Sequence, residues 1–229
     1  MKTSQEHINN LYTFTREHFV MHYDLQTELV DHLANDIESI WSQNPNLSFT
    51  EARDKAFKKF GIFGFMDVIE KREKAMRKRY IGYLWHEFKT WFTLPKLIIT
   101  LTVFMVLFIG FSTSFAQEVL LVSYGLLTAW CIYKGMLLQK QYKRRQKETH
   151  KKWMLEELIF KQAGGSSLIL ISQLPSWYNL SDGLFGSQVF ILAVSVVTTL
   201  FVIWMYASFE LLPNKSEELL HQTYPEFSL

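Results

Sequence analysis

Cysteine is nearly missing from this chain. Of 229 residues only Cys131 is a cysteine, and it lies inside an apolar segment. A disulfide framework and a cysteine-based metal site are thereby excluded. Also missing are a His-Glu-x-x-His pair, a glycine-rich phosphate loop and a nucleophile elbow; Gly183-Leu184-Phe185-Gly186 lacks the serine that the elbow needs. An enzyme reading therefore has no positive support, and no cofactor is expected. The formal net charge is only +2, which excludes nucleic-acid binding by bulk charge. Met1 to Glu6 is polar, without an apolar core or a cleavage site. No signal peptide is expected there, and the first membrane segment is expected to serve as the insertion signal.

The most informative absence is that of lysine and arginine from two short loops, near 114–118 and 177–187. Residues 71–96 hold eight basic side chains and residues 139–152 hold seven, together fifteen of the twenty-four in the chain. Four apolar segments follow or flank these stretches. This is the positive-inside pattern of a multispanning membrane protein. It predicts a multi-pass protein of the inner (cytoplasmic) membrane with N-terminus and C-terminus both cytoplasmic. The segments fall at about 96–116, 118–138, 158–177 and 188–209, each with roughly the twenty residues that cross a bilayer. A very short turn makes the first two an antiparallel hairpin. The third is the weakest, because the apolar run Ser166 to Leu174 is short. Charge logic requires it. The loop 139–152, with seven basic residues against one acidic, must face the cytoplasm, and the tail does so only if the third segment spans. Gly164-Gly165-Ser166-Ser167 marks this segment as an inner, packing helix. The alternative is a transporter or transporter accessory subunit, with a polar path along Gln162, Ser166, Ser167 and Gln173. Lys134 and Lys161 are expected to snorkel to the cytoplasmic surface.

Four helices precede the membrane. The first is predicted from about Ser4 to Val20, with Ile8, Leu11, Tyr12 and Phe19 on one stripe and a capping box at Thr3 and Glu6. The second follows Asp24 as N-cap, with Leu25, Leu29, Leu33, Ile37, Ile40 and Trp41 inward. The third starts at the box Ser48-Phe49-Thr50-Glu51, buries Phe49, Ala52, Ala56, Phe57 and Phe60, and stops at Gly61. The fourth runs from near Phe65 toward Phe92 and breaks at Leu94 before Pro95. The fold class is thus all-α. A small cytoplasmic helical bundle (1–70) leads into a basic amphipathic juxtamembrane helix (71–95). A transmembrane region of four helices (96–209) and a cytoplasmic tail (210–229) follow.

Residues 1–70 carry six basic and eleven acidic side chains, a net of −5, whereas 71–96 carry a net of +6. Basic residues beside the membrane, Arg77, Lys78, Arg79, Lys143, Arg144 and Arg145, are predicted to meet lipid headgroups, with Trp85, Trp91 and Phe92 entering the interface. Asp24, Glu28, Asp31 and Glu38 form an acidic side of the second helix, with no basic residue between 17 and 52. Like charges at this spacing repel, so a docking surface for a basic partner is the functional reading, with the basic residues of 71–96 as the intramolecular candidate and a separate cytoplasmic protein as the other. Glu28, His32 and Asp36 fall at i, i+4 and i+8 on one face, weak candidates for a metal against the plainer reading of a solvated face with none.

Tyr23-Asp24-Leu25-Gln26-Thr27-Glu28-Leu29-Val30-Asp31-His32-Leu33, followed by Phe49-x-Glu51-Ala52-x-x-x-Ala56-x-x-x-Phe60-Gly61, resembles the HAAS signalling, or permease-prefix, domain of bacterial membrane proteins. The resemblance covers about residues 5–70. Glu28, His32, Leu33, Ala52, Phe60 and Gly61 match motif positions, and the resemblance implies that they fold the small domain. Family members place this domain before membrane helices, often beside a PadR-type transcription regulator. The chain is too short for the large extracytoplasmic domain of the permease relatives. Its combination with four spans looks like a membrane family of Bacteroidota. The expected function is regulatory or sensing, with membrane lipids and a cytoplasmic protein, a PadR-type regulator being one candidate, as partners. No direct nucleic-acid partner is expected, and homo-oligomerisation stays open.

Overall fold

The computed structural model describes residues 2–161, 184–224 and 227, and every regular element among them is helical. The chain divides into two compact units. Met1–Lys78 with Thr149–Leu155 form the first, and Arg79–Glu148 with Glu156–Leu229 the second.

In the first unit, α1 spans Gln5–Glu17 and α2 spans Tyr23–Gln43. The capping box of α1 is Ser4 with His7, not Thr3 with Glu6: His7 N–H donates to Ser4 Oγ at 3.3 Å, and Ser4 N–H donates to His7 Nδ1 at 3.3 Å. The spacing rule is kept, and an imidazole nitrogen accepts in place of a carboxylate. Thr3 instead donates its N–H and its hydroxyl to Glu38 Oε1, at 2.9 and 2.7 Å. Helix α1 also stops short of Val20. Val20 N–H donates to Thr15 O, and Phe19 N–H to Arg16 O, both at 3.0 Å, while Phe19 takes φ +64°. This is a Schellman end with phenylalanine where glycine is usual. Phe19 therefore leaves the apolar stripe and stands 77% exposed.

Asp24 is not the N-cap of α2. His22 holds that place, and Asp24 lies buried in the first turn. The core stripe of α2 is as its spacing dictates, with Leu25, Leu29, Leu33, Ile37 and Trp41 buried. Trp41 Nε1–H donates to Leu47 O at 2.9 Å and ties down the loop that follows. Helix α3 spans Phe49–Lys58 and begins at the Ser48–Glu51 box. Ala52 and Ala56 are fully buried, so small side chains let α3 approach α2 closely. Phe14, His18, Phe57, Phe60 and Phe65 build a connected ring cluster at the other end, with Phe57 and Phe65 4.9 Å apart.

The α3–α4 loop turns at Gly61 (φ +80°) and Gly64 (φ +55°). A Cβ on Gly64 would lie 2.8 Å from Phe57 Cζ, inside the ring cluster. Gly64→Ala combines a left-handed backbone with this clash. We expect it to cost on the order of 2 kcal/mol and to lower the melting temperature of the detergent-solubilised chain. An unchanged melting temperature would show that Phe57 can swing aside.

Helix α4 covers Met66–Trp91. In the second unit its Arg79–Trp91 part is followed, after a break that contains Pro95, by α5 (Lys96–Phe111), and the two helices are bent by 87°. Helix α6 covers Ala116–Thr149, and residues 154–161 are helical again. Helix α7, Gln188–Tyr206, continues through a π-helical turn, Ala207–Leu211, and a last turn, Leu212–Asn214. Helix α8 is Ser216–Thr223. Two helices, Ala116–Thr149 and Gln188–Asn214, are long and apolar enough to cross a membrane, and the bent pair of α4 and α5 is a third candidate. Residues 162–177, most of the expected third segment, lie outside the described residues.

The expected loop 139–152 is helical over 139–149, as a continuation of α6. Its Gln, Lys, Arg and Glu residues are good helix formers, and no glycine or proline interrupts them. Charge density predicts a cytoplasmic side for this stretch and says nothing against a helix.

Three helices of the second unit fix each other's direction. Phe111, Leu120, Ile191 and Val194 pack into one apolar cluster, so the end of α5 meets the starts of α6 and α7. Gly110 allows this tight reversal, since a Cβ there would be 2.9 Å from Val119. Along α6 and α7, Tyr124 lies against Phe201, Trp130 against Phe209, and Lys134 against Glu210. Partner numbers rise together, so α6 and α7 run parallel, and α5 runs against both.

Candidate functional site

Helical spacing sends Glu28, His32 and Asp36 of α2 to one groove of about 290 Å³, completed by Leu29, Lys59, Phe60 and Val68. Neighbouring elements bring cations to both carboxylates. Arg72 of α4 lies 3.4 Å from Glu28, and Lys59 donates to Asp36 at 2.6 Å. Positions i and i+8 are also about 12 Å apart along a helix, too far to share one ion. Among the described residues no group of three or more His, Cys, Asp or Glu is placed to hold a metal. We therefore expect a chelator to leave the melting temperature unchanged. A large fall that zinc restores would contradict this.

The acidic residues of α2 are unequally available. Asp24 is turned inward, where Met154 N–H donates to it at 3.3 Å and Arg72 lies 3.7 Å away. Around it Tyr23 N–H donates to Lys152 O at 2.7 Å, Trp153 packs on the Tyr23 ring, and Lys151 sits 4.6 Å above that ring. The start of α2 thus holds the chain segment that follows α6. Glu38 is engaged by Thr3, and those two hydrogen bonds hold its carboxyl below the usual range. Asp31 is exposed and has no partner among the described residues. Arg72 belongs to the basic stretch 71–96, the intramolecular candidate for the acidic face, and it reaches Asp24 and Glu28. Lys59 and the 151–154 segment carry no sequence signal for their roles, because their partners are 23 to 130 positions away.

The basic residues divide in the same way. Lys78, Arg79 and Lys143 are exposed. Arg77 and Arg144 make exposed i,i+4 pairs with Glu73 and Glu148, at 3.8 and 3.0 Å. Arg145 lies 2.9 Å from the buried Glu156 and 3.3 Å from Glu217, so it ties α6 to the tail helix α8. Burial pushes the Glu156 carboxyl up, and Arg145 opposes the shift.

Within the apolar helices the main polar feature is an ion pair that sequence reading missed. Lys134 of α6 donates to Glu210 at 2.5 Å, and both side chains are about three-tenths exposed. The chain pattern places Glu210 just past the fourth apolar segment, and the π-helical turn carries α7 onward and brings it to face Lys134 on α6. Ser195 and Thr199 are buried, but each donates to a carbonyl of its own helix at 2.7 Å. Gln162, Ser166, Ser167 and Gln173 lie outside the described residues.

No protein family, no curated protein and no solved structure matches this chain.

Proposed function

We propose that the chain is a four-span inner-membrane protein with both termini cytoplasmic. Its N-terminal helical unit binds another cytoplasmic protein and passes that event to the membrane region, in a regulatory or sensing role. Two parallel spans, α6 and α7, require a return crossing between them, which supports a third segment within 150–187. The basic count of each loop supports the orientation. The resemblance to the HAAS domain supports the signalling role and makes a PadR-type regulator the first partner to test.

The observation that carries the coupling is the hold of Tyr23 and Asp24 on Lys152 and Met154. One helix, α2, carries both this hold and the exposed acid Asp31. A basic partner seated on α2 therefore acts on an element bonded to the link that leads from α6 to the third crossing. To test the docking, a photo-crosslinker is placed at residue 35, one turn from Asp31, in the full chain in native membranes. A cross-linked protein is expected with the wild-type surface and is expected to be lost in Asp31→Lys. Glu28 and Glu38 are left alone because both serve the fold. If Asp31→Lys keeps every cross-link, the acidic side of α2 is only solvated.

A further inference from the structure

The first unit exposes an apolar patch that its own fold does not use. The α3–α4 loop presents Ile62 at 99% and Phe63 at 70% exposure, with Met66 beside them at the start of α4. Two left-handed glycines, Gly61 and Gly64, hold this tip in shape, while the Phe65 ring between them and the helix is buried. The α1–α2 loop adds Phe19 and Met21, both exposed. The two loops meet where His18 and Phe65 pack, 5.9 Å apart. Phe19 keeps an aromatic side chain in a left-handed conformation that favours glycine, and its ring is solvent-facing instead of packed.

Charge in this unit is polarised around the tip. Residues 2–52 carry two basic and eight acidic side chains, whereas 53–78 carry nine basic and four acidic. Of the nine, Lys55, Lys58, Lys71, Lys74 and Lys78 are exposed and make no ion pair among the described residues. Lys55 and Lys58 precede the tip by one to two helical turns, and Lys71 and Lys74 follow it on α4.

We propose that the Gly61–Gly64 tip, with Phe19 and Met21, inserts into an anionic lipid surface. It would be a second membrane contact for the N-terminal unit, separate from the spans. The proposal rests on the membrane reading above. Apolar and aromatic side chains flanked along the chain by lysines, which outnumber the exposed acids Asp67 and Glu70, suit the headgroup boundary, where the chains enter and the ammonium groups meet anionic lipid. A second copy of the chain is a poorer occupant. Five side chains on two loops offer on the order of 500 Å², against the roughly 800 Å² per partner of a stable protein interface. Two apposed copies would also bring their lysines together.

The test uses the full chain in nanodiscs, with Cys131→Ala removing the native thiol. An environment-sensitive fluorophore is attached at Ile62→Cys or, in a second variant, at Met66→Cys, and brominated lipids act as quencher. With anionic lipid present we expect a blue-shifted emission and at least two-fold quenching at both positions. In neutral lipid, and in Lys55→Glu/Lys58→Glu, most of that quenching should disappear. A label at Ser42→Cys should stay aqueous throughout. A label at Leu126→Cys, on the apolar face of α6, should be quenched in every lipid, and its failure would sink the membrane reading itself. If Leu126 is quenched while residues 62 and 66 stay aqueous, the tip proposal is overturned and the membrane reading stands. Equal quenching in neutral and anionic discs overturns it as well. So does shielding seen only in discs that hold two copies, which would assign the patch to a copy interface.

Discussion

Leu33→Asp unfolds the N-terminal unit. Leu33 is fully buried at the centre of the α2 stripe, between Leu29 and Ile37. The change removes a core side chain, worth about 2–5 kcal/mol, and puts in its place a carboxylate with no partner, at a further several kcal/mol. Small domains hold only about 5–15 kcal/mol in total, and short ones sit at the low end. Limited proteolysis of the full chain should therefore cut within 1–78 in the variant, and circular dichroism of a 1–78 fragment should lose its helical signal. Leu33→Met keeps volume and polarity and should cost less than about 1.5 kcal/mol. A folded Leu33→Asp unit would mean that α2 can rotate this position to solvent.

Lys134→Met and Glu210→Leu, made singly, each lower stability far more than the two together. Each single change leaves one charge in an apolar helix region without its partner. Breaking a buried pair costs about 3–5 kcal/mol. The partial exposure of Lys134 and Glu210 brings our expectation to about 2 kcal/mol. The double variant removes both charges and should recover most of that loss, a coupling that a double-mutant cycle reads directly. Thermal melting in detergent is the measurement. Additive losses would show that the two side chains do not act as a pair, and would weaken the parallel packing of α6 on α7.

Local rules made the helices legible and left their partners hidden. The Ser48–Glu51 box, the α2 stripe and the break at Pro95 are written within a few residues each, and the structure has them there. A 3.6-residue period puts Phe19 on the core stripe; the Schellman end at Val20 takes it off that period. An acid before an apolar run usually caps a helix. Asp24 does satisfy an N–H, but that of Met154, 130 positions on. Charge counts predict a cytoplasmic side for 139–152 and do not distinguish loop from helix. Of the acidic surface, composition showed the excess charge, while only the tertiary packing separates Asp31 from the carboxylates already held by Thr3, Lys59 and Arg72.

The proposed topology is four membrane crossings, with the working parts on the cytoplasmic side. Site-directed thiol labelling of the full chain in intact cells tests it most directly, with single cysteines at Thr113, at Ser187 and in the C-terminal tail at Gln222, all three exposed, in the Cys131→Ala background. An impermeant reagent is expected to label 113 and 187 from outside and to reach 222 only after the membrane is opened. Labelling of 222 from outside, or protection of 187 until lysis, would mean that residues 150–187 do not cross, and would contradict the four-span topology.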